Sequence, residues 1–218
     1  MGKLIVFEGI DGSGKSTQFK LICRRMTDEG RGFMRVAFPQ YNEPSSALIK
    51  MYLAGEFGEK PGDVNAYAAS SFFAVDRYAS YMKVWREYYL SGGLIITDRY
   101  TTSNAIHQGA KLPENERGAF FKWLYDYEFN LLGLPAPDMV LYMDIETDEA
   151  VRRLRRREAE TSSEADIHEK DLSYLSSCQR AGAEAAAYYG WNAISCIKNE
   201  KPRSESEIHE EIYRLITG

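Results

Sequence analysis

The sequence predicts an α/β fold, a parallel sheet covered by helices on both faces, and three observations predict it. Short, continuously apolar runs such as KLIVFE (3–8), LIIT (94–97) and MVLYMDI (139–145) alternate with longer helical patterns. Strands that are apolar on both faces belong to parallel sheets buried between helix layers. The first run feeds a glycine-rich turn, FEGIDGSGKSTQ (7–18), that leads straight into a helical stretch. Carboxylates sit at the ends of later runs, Asp98 after LIIT and Asp144 in MVLYMDI, where open α/β sheets bind ligands.

Taken in order, KLIVFE is a buried strand, and a helix runs from Lys15 to Asp28 before a break at Gly30 and Gly32. MRVAFP (34–39) is a second strand, stopped by Pro39, which lacks the N–H that a ladder needs. A short helix covers Ser45 to Ala54, and GEFGEKPGD (55–63) is a loop by its glycine and proline content. From Asp63 to Leu90 a long helical pattern carries Tyr67, Phe72, Val75, Met82, Trp85 and Tyr89. LIIT and MVLYMDI add strands, and a helix from Thr147 runs into RRREAETSSEAD (155–166), a charged, small-residue segment that reads as a mobile lid. A further helix reaches Tyr189, NAISCI (192–197) is the last strand and SEIHEEIYRLI (206–216) the last helix. Neither an internal repeat nor a linker divides the chain, so residues 1–218 are expected to form one domain, with a lid over 153–168.

A net charge of −5, with 44% hydrophobic and 27% charged residues, describes an ordinary globular chain. It carries no basic footprint for long nucleic acid. The three cysteines, Cys23, Cys178 and Cys196, are odd in number and far apart. That argues against a disulfide framework or structural zinc and for a reducing, cytoplasmic setting. The opening MGKLIVFEG runs directly into a strand, without a signal-peptide pattern. No apolar run approaches the ~20 residues that cross a bilayer, so no membrane partner is expected.

Gly9, Gly14, Lys15 and Ser16 fit G-x-x-x-x-G-K-[ST], with a strand before and a helix after. This predicts a P-loop NTPase. Backbone N–H groups along the loop, through Gly12, Ser13 and Thr17, can turn inward as a nest for the phosphates of ATP, helped by the helix N-terminus. Lys15 can reach the outer phosphates, and Ser16 supplies a hydroxyl for Mg2+. Asp11 places a negative charge inside this cradle. Asp98 is where Mg2+-bound water is held in such folds, Asp144 is a rival, and a helix N-cap would use the same residue type. A nucleotide switch, a motor or a kinase would all use such a loop.

In SSFFAVDRY, Phe73, Asp76 and Arg77 stand at i, i+3 and i+4 and project from one helix face. An aromatic plane beside a guanidinium can stack a base and fork onto a phosphate. Spacing alone equally reads Phe73 as core and Arg77 as a surface partner of Asp76 or Asp63. In TTSNAIHQGAK, a helix would put Asn104, His107 and Gln108 on one face near Arg99, suited to hydrogen bonding a base or sugar. His107 has no second His or Cys at metal-binding spacing.

FEGIDGSGKSTQ, FPQY, FFAVDR, DRYTTSNA and DIHEKD, in that order, resemble the thymidylate kinase family from Lys3 to about Lys170 and more loosely beyond. The ordered set carries the resemblance; only the loop is specific by itself. It implies a three-layer P-loop NTPase fold of the nucleoside monophosphate kinase kind and transfer of the γ-phosphoryl group of ATP to dTMP, with Mg2+, in a homodimer. By the resemblance, Phe73 stacks on thymine, Arg77 reads the base edge and clamps the acceptor phosphate, and Arg99 is a second clamp. Asn104 is a base contact, Phe38 and Tyr41 border the acceptor, and Asp11 contacts its 3′-hydroxyl. The long aromatic-rich helix, at Tyr78, Tyr81 and Trp85, would form the dimer, and a core helix would look the same.

Departures accompany the likeness. The family often carries arginine at the position of Gly12 or else in its lid, so Arg153 and Arg157 of RRLRRRE are the candidates for neutralising the transferred group. Asp166 and Glu169 match the carboxylates at the start of the lid helix, yet Ile167 stands where arginine is common, and D-x-x-E also reads as a capping box. Gln40 replaces a frequent arginine, and His107 a tyrosine near the 2′ side of the sugar, which loosens the expected preference for deoxyribose. Adenine is expected near Lys198 and Asn199.

The rivals are a kinase for another nucleoside or monophosphate and a non-catalytic nucleotide-binding module. A guanine switch lacks its N-K-x-D, KNEK (198–201) having no carboxylate in place. RRLRRR without neighbouring aromatics in an acidic chain is a poor nucleic-acid helix.

Overall fold

Strand β1 (Lys3–Glu8) is buried along almost its whole length, and its alternation splits the core. Ile5 and Phe7 face one apolar cluster, with Ile22, Met26 and Leu175. Leu4 and Val6 face another, with Trp85, Tyr89 and Tyr100. A strand with two dry faces needs helices on both, which gives the expected three layers. The computed structural model describes residues 1–161 and 172–218, with side chains described outside 157–172.

Among the described residues the central sheet orders its strands β2-β3-β1-β4-β5, where β2 is Met34–Ala37, β3 Leu94–Asp98, β4 Met139–Asp144 and β5 Asn192–Ser195. All pairs are parallel. The register sets Phe7 beside Asp98, so the carboxylate ending β3 arrives next to the start of the glycine loop. Helix α1 (Lys15–Asp28) follows that loop and buries Gln18, Ile22, Cys23 and Met26 on one face.

The other helices are α2 (Ala47–Leu53), α3 (Ala66–Ser80), α4 (Arg86–Leu90), α5 (Thr101–His107), α6 (Glu114–Tyr125), α7 (Thr147–Thr161), α8 (Leu172–Tyr189) and α9 (Glu205–Thr217). Asn65 caps α3 and Ser204 with Glu207 forms a capping box on α9, each satisfying amide donors that a helix start leaves open.

Several elements differ from expectation. The long helix over 63–90 is α3, a π turn at Tyr81–Trp85 and α4 in succession. The turn rotates Tyr81 and Trp85 into the core, where Trp85 is 1% exposed, so only Tyr78 of the three proposed dimer aromatics reaches the surface. NAISCI is a strand only as far as Ser195; the chain then forms a hairpin of β6 (Ile197–Lys198) and β7 (Lys201–Pro202). Helix α6 and the π turn Asp126–Leu131 after it are additions to the expected elements, and they bear on the site.

Candidate active site

The glycine loop turns from β1 into α1 with Gly14 at φ 89°, a left-handed conformation that sets the helix N-terminus. Gly12 has φ 80°, and a Cβ there would run into the Ala150 carbonyl oxygen. The backbone of α7 therefore packs where a side chain at position 12 would stand, which is why no arginine can occupy it. The same helix offers Arg153 instead. Its Nε donates to Glu149 Oε1 at 2.9 Å, and Nη1 lies 3.5 Å from the Ser13 carbonyl oxygen.

A cleft of about 830 Å³ opens over the loop, lined by Gly12 to Thr17 and by Arg153 and Arg156, a volume suited to a sizeable ligand. Its far wall is Pro202, Arg203 and Ser204, so the expected adenine neighbours Lys198 and Asn199 give way to the segment entering α9. The side chain of Arg157, and all of Asp166, Ile167 and Glu169, lie outside the described residues.

Ser16 Oγ donates to Asp98 Oδ2 at 2.8 Å. Asp98 Oδ1 is buried and, among the described residues, has no partner. An acceptor left open beside a hydroxyl at the mouth of the loop fits a cation or its bound water. Asp144 lines neither this cleft nor the next. Burial raises its pKa, with a hydrogen bond from Gln179 opposing.

Arg99 adopts φ 67°, a region that costs a non-glycine residue about 1–2 kcal/mol. Its N–H donates to the Phe7 carbonyl and its own carbonyl accepts from Thr97 Oγ1 at 2.8 Å. This turns the side chain back towards the loop. The guanidinium there is paired with Asp11 and lies 3.8 Å from Glu8. Its Nη1 is 3.3 Å from Ser103 Oγ and 3.0 Å from His107 Nε2. Arginine only donates, so Nε2 of His107 accepts, and the ring proton sits on Nδ1, 3.6 Å from Cys178 Sγ.

Asp11 also meets Lys15 Nζ at 3.3 Å. Burial alone would raise its pKa, but Arg99 and then Lys15 hold it well below the usual carboxylate range. The carboxylate inside the phosphate cradle is thus ionised and bridges two cations. Burial would lower Arg99 in turn, yet Asp11, Glu8 and Asp98 keep it firmly protonated.

Asp11 and Arg99 also line a second, tighter cleft of about 200 Å³ on the other side of the pair. Phe38, Tyr41 and Phe73 supply its aromatic walls, with Phe73 braced edge-on by Tyr52 at 6.3 Å. Arg77, Asn104, His107 and Gln108 complete it, and Gln108 Oε1 is buried with no partner among the described residues. The residues expected around an acceptor are therefore brought together from the segment that follows β2, from α3, and from α5 and the residue after it. Gln40 is not among them; its amide donates to the Ala37 carbonyl at 2.8 Å.

Arg77 corrects the reading that made it a surface partner of Asp76 or Asp63. It is 2% exposed, and its Nε and Nη2 fork onto Glu128 at 2.7 and 2.5 Å. Asp76 instead accepts from the Gln40 N–H and Ser45 Oγ, and Asp63 from the Lys60 N–H. Sequence reasoning missed Glu128 because nothing local marks it: it reaches Arg77 from the π turn after α6. It also missed Glu8, which is fully buried and accepts from the Gly9 N–H, Thr102 Oγ1 and Ser103 Oγ. Here a signal existed, since a carboxylate closes an otherwise apolar strand immediately before the loop.

A family model described as thymidylate kinase matches residues 7–212. A protein named thymidylate kinase from Mycobacterium tuberculosis (strain CDC 1551 / Oshkosh) is 34% identical over 195 residues, covering 86% of this chain and 87% of its own. A probable thymidylate kinase from Methanococcus maripaludis (strain C6 / ATCC BAA-1332) is 28% identical over 99% of this chain and 96% of its own. A thymidylate kinase from Prochlorococcus marinus (strain NATL2A) is 28% identical over 99% and 98%.

Proposed function

The chain belongs to the thymidylate kinase family, and from that premise we infer that it transfers the γ-phosphoryl group of ATP to dTMP, giving dTDP and ADP. The observation that carries this reading is the meeting of two clefts at one charge pair. Asp11 and Arg99 line both the phosphate-loop cleft and the aromatic-walled one, so two anionic nucleotides can be set end to end across them.

The acceptor phosphate carries about −1.5 to −2 charge near neutral pH. One of its oxygens attacks the γ-phosphorus as the bond to the β-phosphate oxygen breaks, and ADP leaves. No general base is needed, so positioning and charge neutralisation are the chemistry. Loop amides from Gly9 to Thr17 cradle the ATP phosphates. Lys15 and Arg153, with Arg157 from the lid, neutralise the transferred group. Arg99 exchanges Asp11 for the acceptor phosphate, and the released Asp11 carboxylate accepts from the 3′-hydroxyl. Arg77, already compensated by Glu128, serves the base edge, and the phosphate grip falls to Arg99. Phe73 stacks on the base, Phe38 and Tyr41 border it, and Asn104, His107 and Gln108 hydrogen-bond base and sugar.

Mg2+ held by Ser16, with Asp98 on its water ligand, would neutralise β- and γ-phosphate charge. Such a metal would be bound largely by phosphates and water.

The homodimer belongs on the outer face of α3 and its π turn, where Val75, Tyr78 and Met82 are 52%, 41% and 49% exposed at helical spacing. Sedimentation of wild type against Met82→Glu tests it; a monomeric wild type ends the idea. Three free, buried cysteines suit a reducing cytoplasm. Among the described residues no helix is long and apolar enough to cross a membrane.

Acceptor identity is tested by a panel of dTMP, dUMP, UMP, CMP and thymidine with ATP. The reading expects dTMP to be preferred and thymidine to be inert. Preference for another acceptor would replace dTMP in this account, and product from none would reduce the chain to an ATP binder.

A further inference from the structure

We propose that Glu128 determines which way round the base-reading groups face, and so sets the preference for a keto pyrimidine over cytosine; this rests on the acceptor being a pyrimidine monophosphate. Glu128 is fully buried and sits in the π turn Asp126–Leu131, a distortion that re-aims side chains and recurs at functional sites. Its carboxylate is saturated. Oε2 accepts from Arg77 Nε and Thr101 Oγ1, both at 2.7 Å, and Oε1 from Arg77 Nη2 at 2.5 Å and Asn104 Nδ2 at 3.2 Å. One acid thus ties α3 to α5 through two cleft-lining residues.

The consequence follows from counting donors. The Asn104 amide nitrogen lies between Glu128 and the Ser70 carbonyl, 3.1 Å away. Both partners can only accept. The nitrogen must therefore face them, which leaves the amide oxygen for the cleft that Asn104 lines. Arg77 places Nε and Nη2 on Glu128 and Nη1 on the Tyr100 carbonyl at 3.3 Å, keeping its remaining N–H donors for the same cleft. A donor beside an acceptor complements a 4-keto pyrimidine, which offers O4 and N3–H. Cytosine presents the reverse, an amino donor and a bare N3, and would leave buried polar groups unpaired. An acceptor-only residue at 128 enforces this polarity together with the Ser70 carbonyl; an amide at 128 could offer its own N–H and weaken the hold on Asn104.

The test measures kcat and KM for dTMP and dCMP at saturating ATP, in wild type and in Glu128→Gln, Thr101→Val and Glu184→Gln. Thr101→Val removes one donor to Glu128 and leaves the acid in place. Glu184→Gln breaks a comparable ion pair, with Arg117 at 2.5 Å, that lines neither cleft. In Glu128→Gln, kcat/KM for dTMP should fall by about 100-fold, with the KM for ATP nearly unchanged. The dTMP-over-dCMP ratio should fall by about tenfold or more. Thr101→Val should shift the ratio the same way by less, and Glu184→Gln not at all. Should Glu128→Gln fail to fold, the Thr101→Val ratio decides. A ratio unmoved in the variants that fold, or lost equally in Glu184→Gln, overturns the role of Glu128 while normal wild-type turnover keeps the acceptor reading. A wild type that leaves every pyrimidine monophosphate untouched overturns both.

Discussion

The phosphate loop and the acceptor cleft share Asp11 and Arg99 but are built from different material. Over residues 9–17 the lining is largely main chain, turned by glycines such as Gly12 and Gly14 at positive φ, with the Lys15 and Ser16 side chains added. Around the second cleft it is side chains from the segment after β2, from α3 and from α5, braced from the π turn after α6 by Glu128. The first region should be sensitive to an added Cβ and indifferent to distant side chains. In the second, a residue that touches no ligand can matter as much as one that does.

That contrast is sharpest at the shared pair. Arg99→Ala should lower kcat by about 10³-fold while ATP affinity, measured by titration, changes little; unchanged turnover would remove the clamp. One step into the acceptor side, Phe73→Ala should raise the KM for dTMP by up to about 100-fold, the worth of about 1–3 kcal/mol of stacking on a base, and leave the KM for ATP alone. An equal rise in both would erase the division between the clefts. On the loop side, Gly12→Ala forces a Cβ against the Ala150 carbonyl at a left-handed φ. It should weaken ATP binding by about tenfold, a penalty of 1–3 kcal/mol being typical of such strain, and dTMP binding should stay as it was.

The last effect expected is one of stability rather than of binding. Lys111 donates to the Val64 carbonyl at 2.8 Å and lies 4.9 Å from the ring centre of Tyr52, behind Phe73. Burial pushes its pKa down to about 7, with Cys178 opposing only slightly. An unfolded chain ionises lysine near 10.4, about its ordinary value. Between those limits the unfolded state binds a proton that the folded state lacks, so this contribution makes stability rise with pH from about 7 to about 10. Urea melts across that range should show the rise in wild type and its loss in Lys111→Met; parallel curves would contradict the lowered pKa of Lys111.

The same contrast explains what could be read from the letters. The loop is contiguous, and its motif dictates its own strand and helix, so Gly9 to Thr17 and the place of Asp98 were legible. The α3 and α5 faces were legible as spacings, because Phe73, Arg77, Asn104 and His107 recur at helical intervals. Partners were not. Helical spacing offered Asp76 or Asp63 to Arg77, but the fold supplies Glu128 from 51 positions further along the chain, and no periodicity encodes that meeting. Likewise Tyr81 and Trp85 look like any aromatic helix face until the π turn rotates them into the core. Gly12 read as a departure from a family habit; only the packing of α7 gives it a cause.

The central claim, that two nucleotides meet across Asp11 and Arg99, is tested most directly by the stoichiometry of products from ATP and dTMP, with ADP and dTDP resolved by chromatography. The account predicts one dTDP for each ADP and almost no ADP when dTMP is withheld. ADP released at the same rate with or without dTMP, and no dTDP, would contradict it.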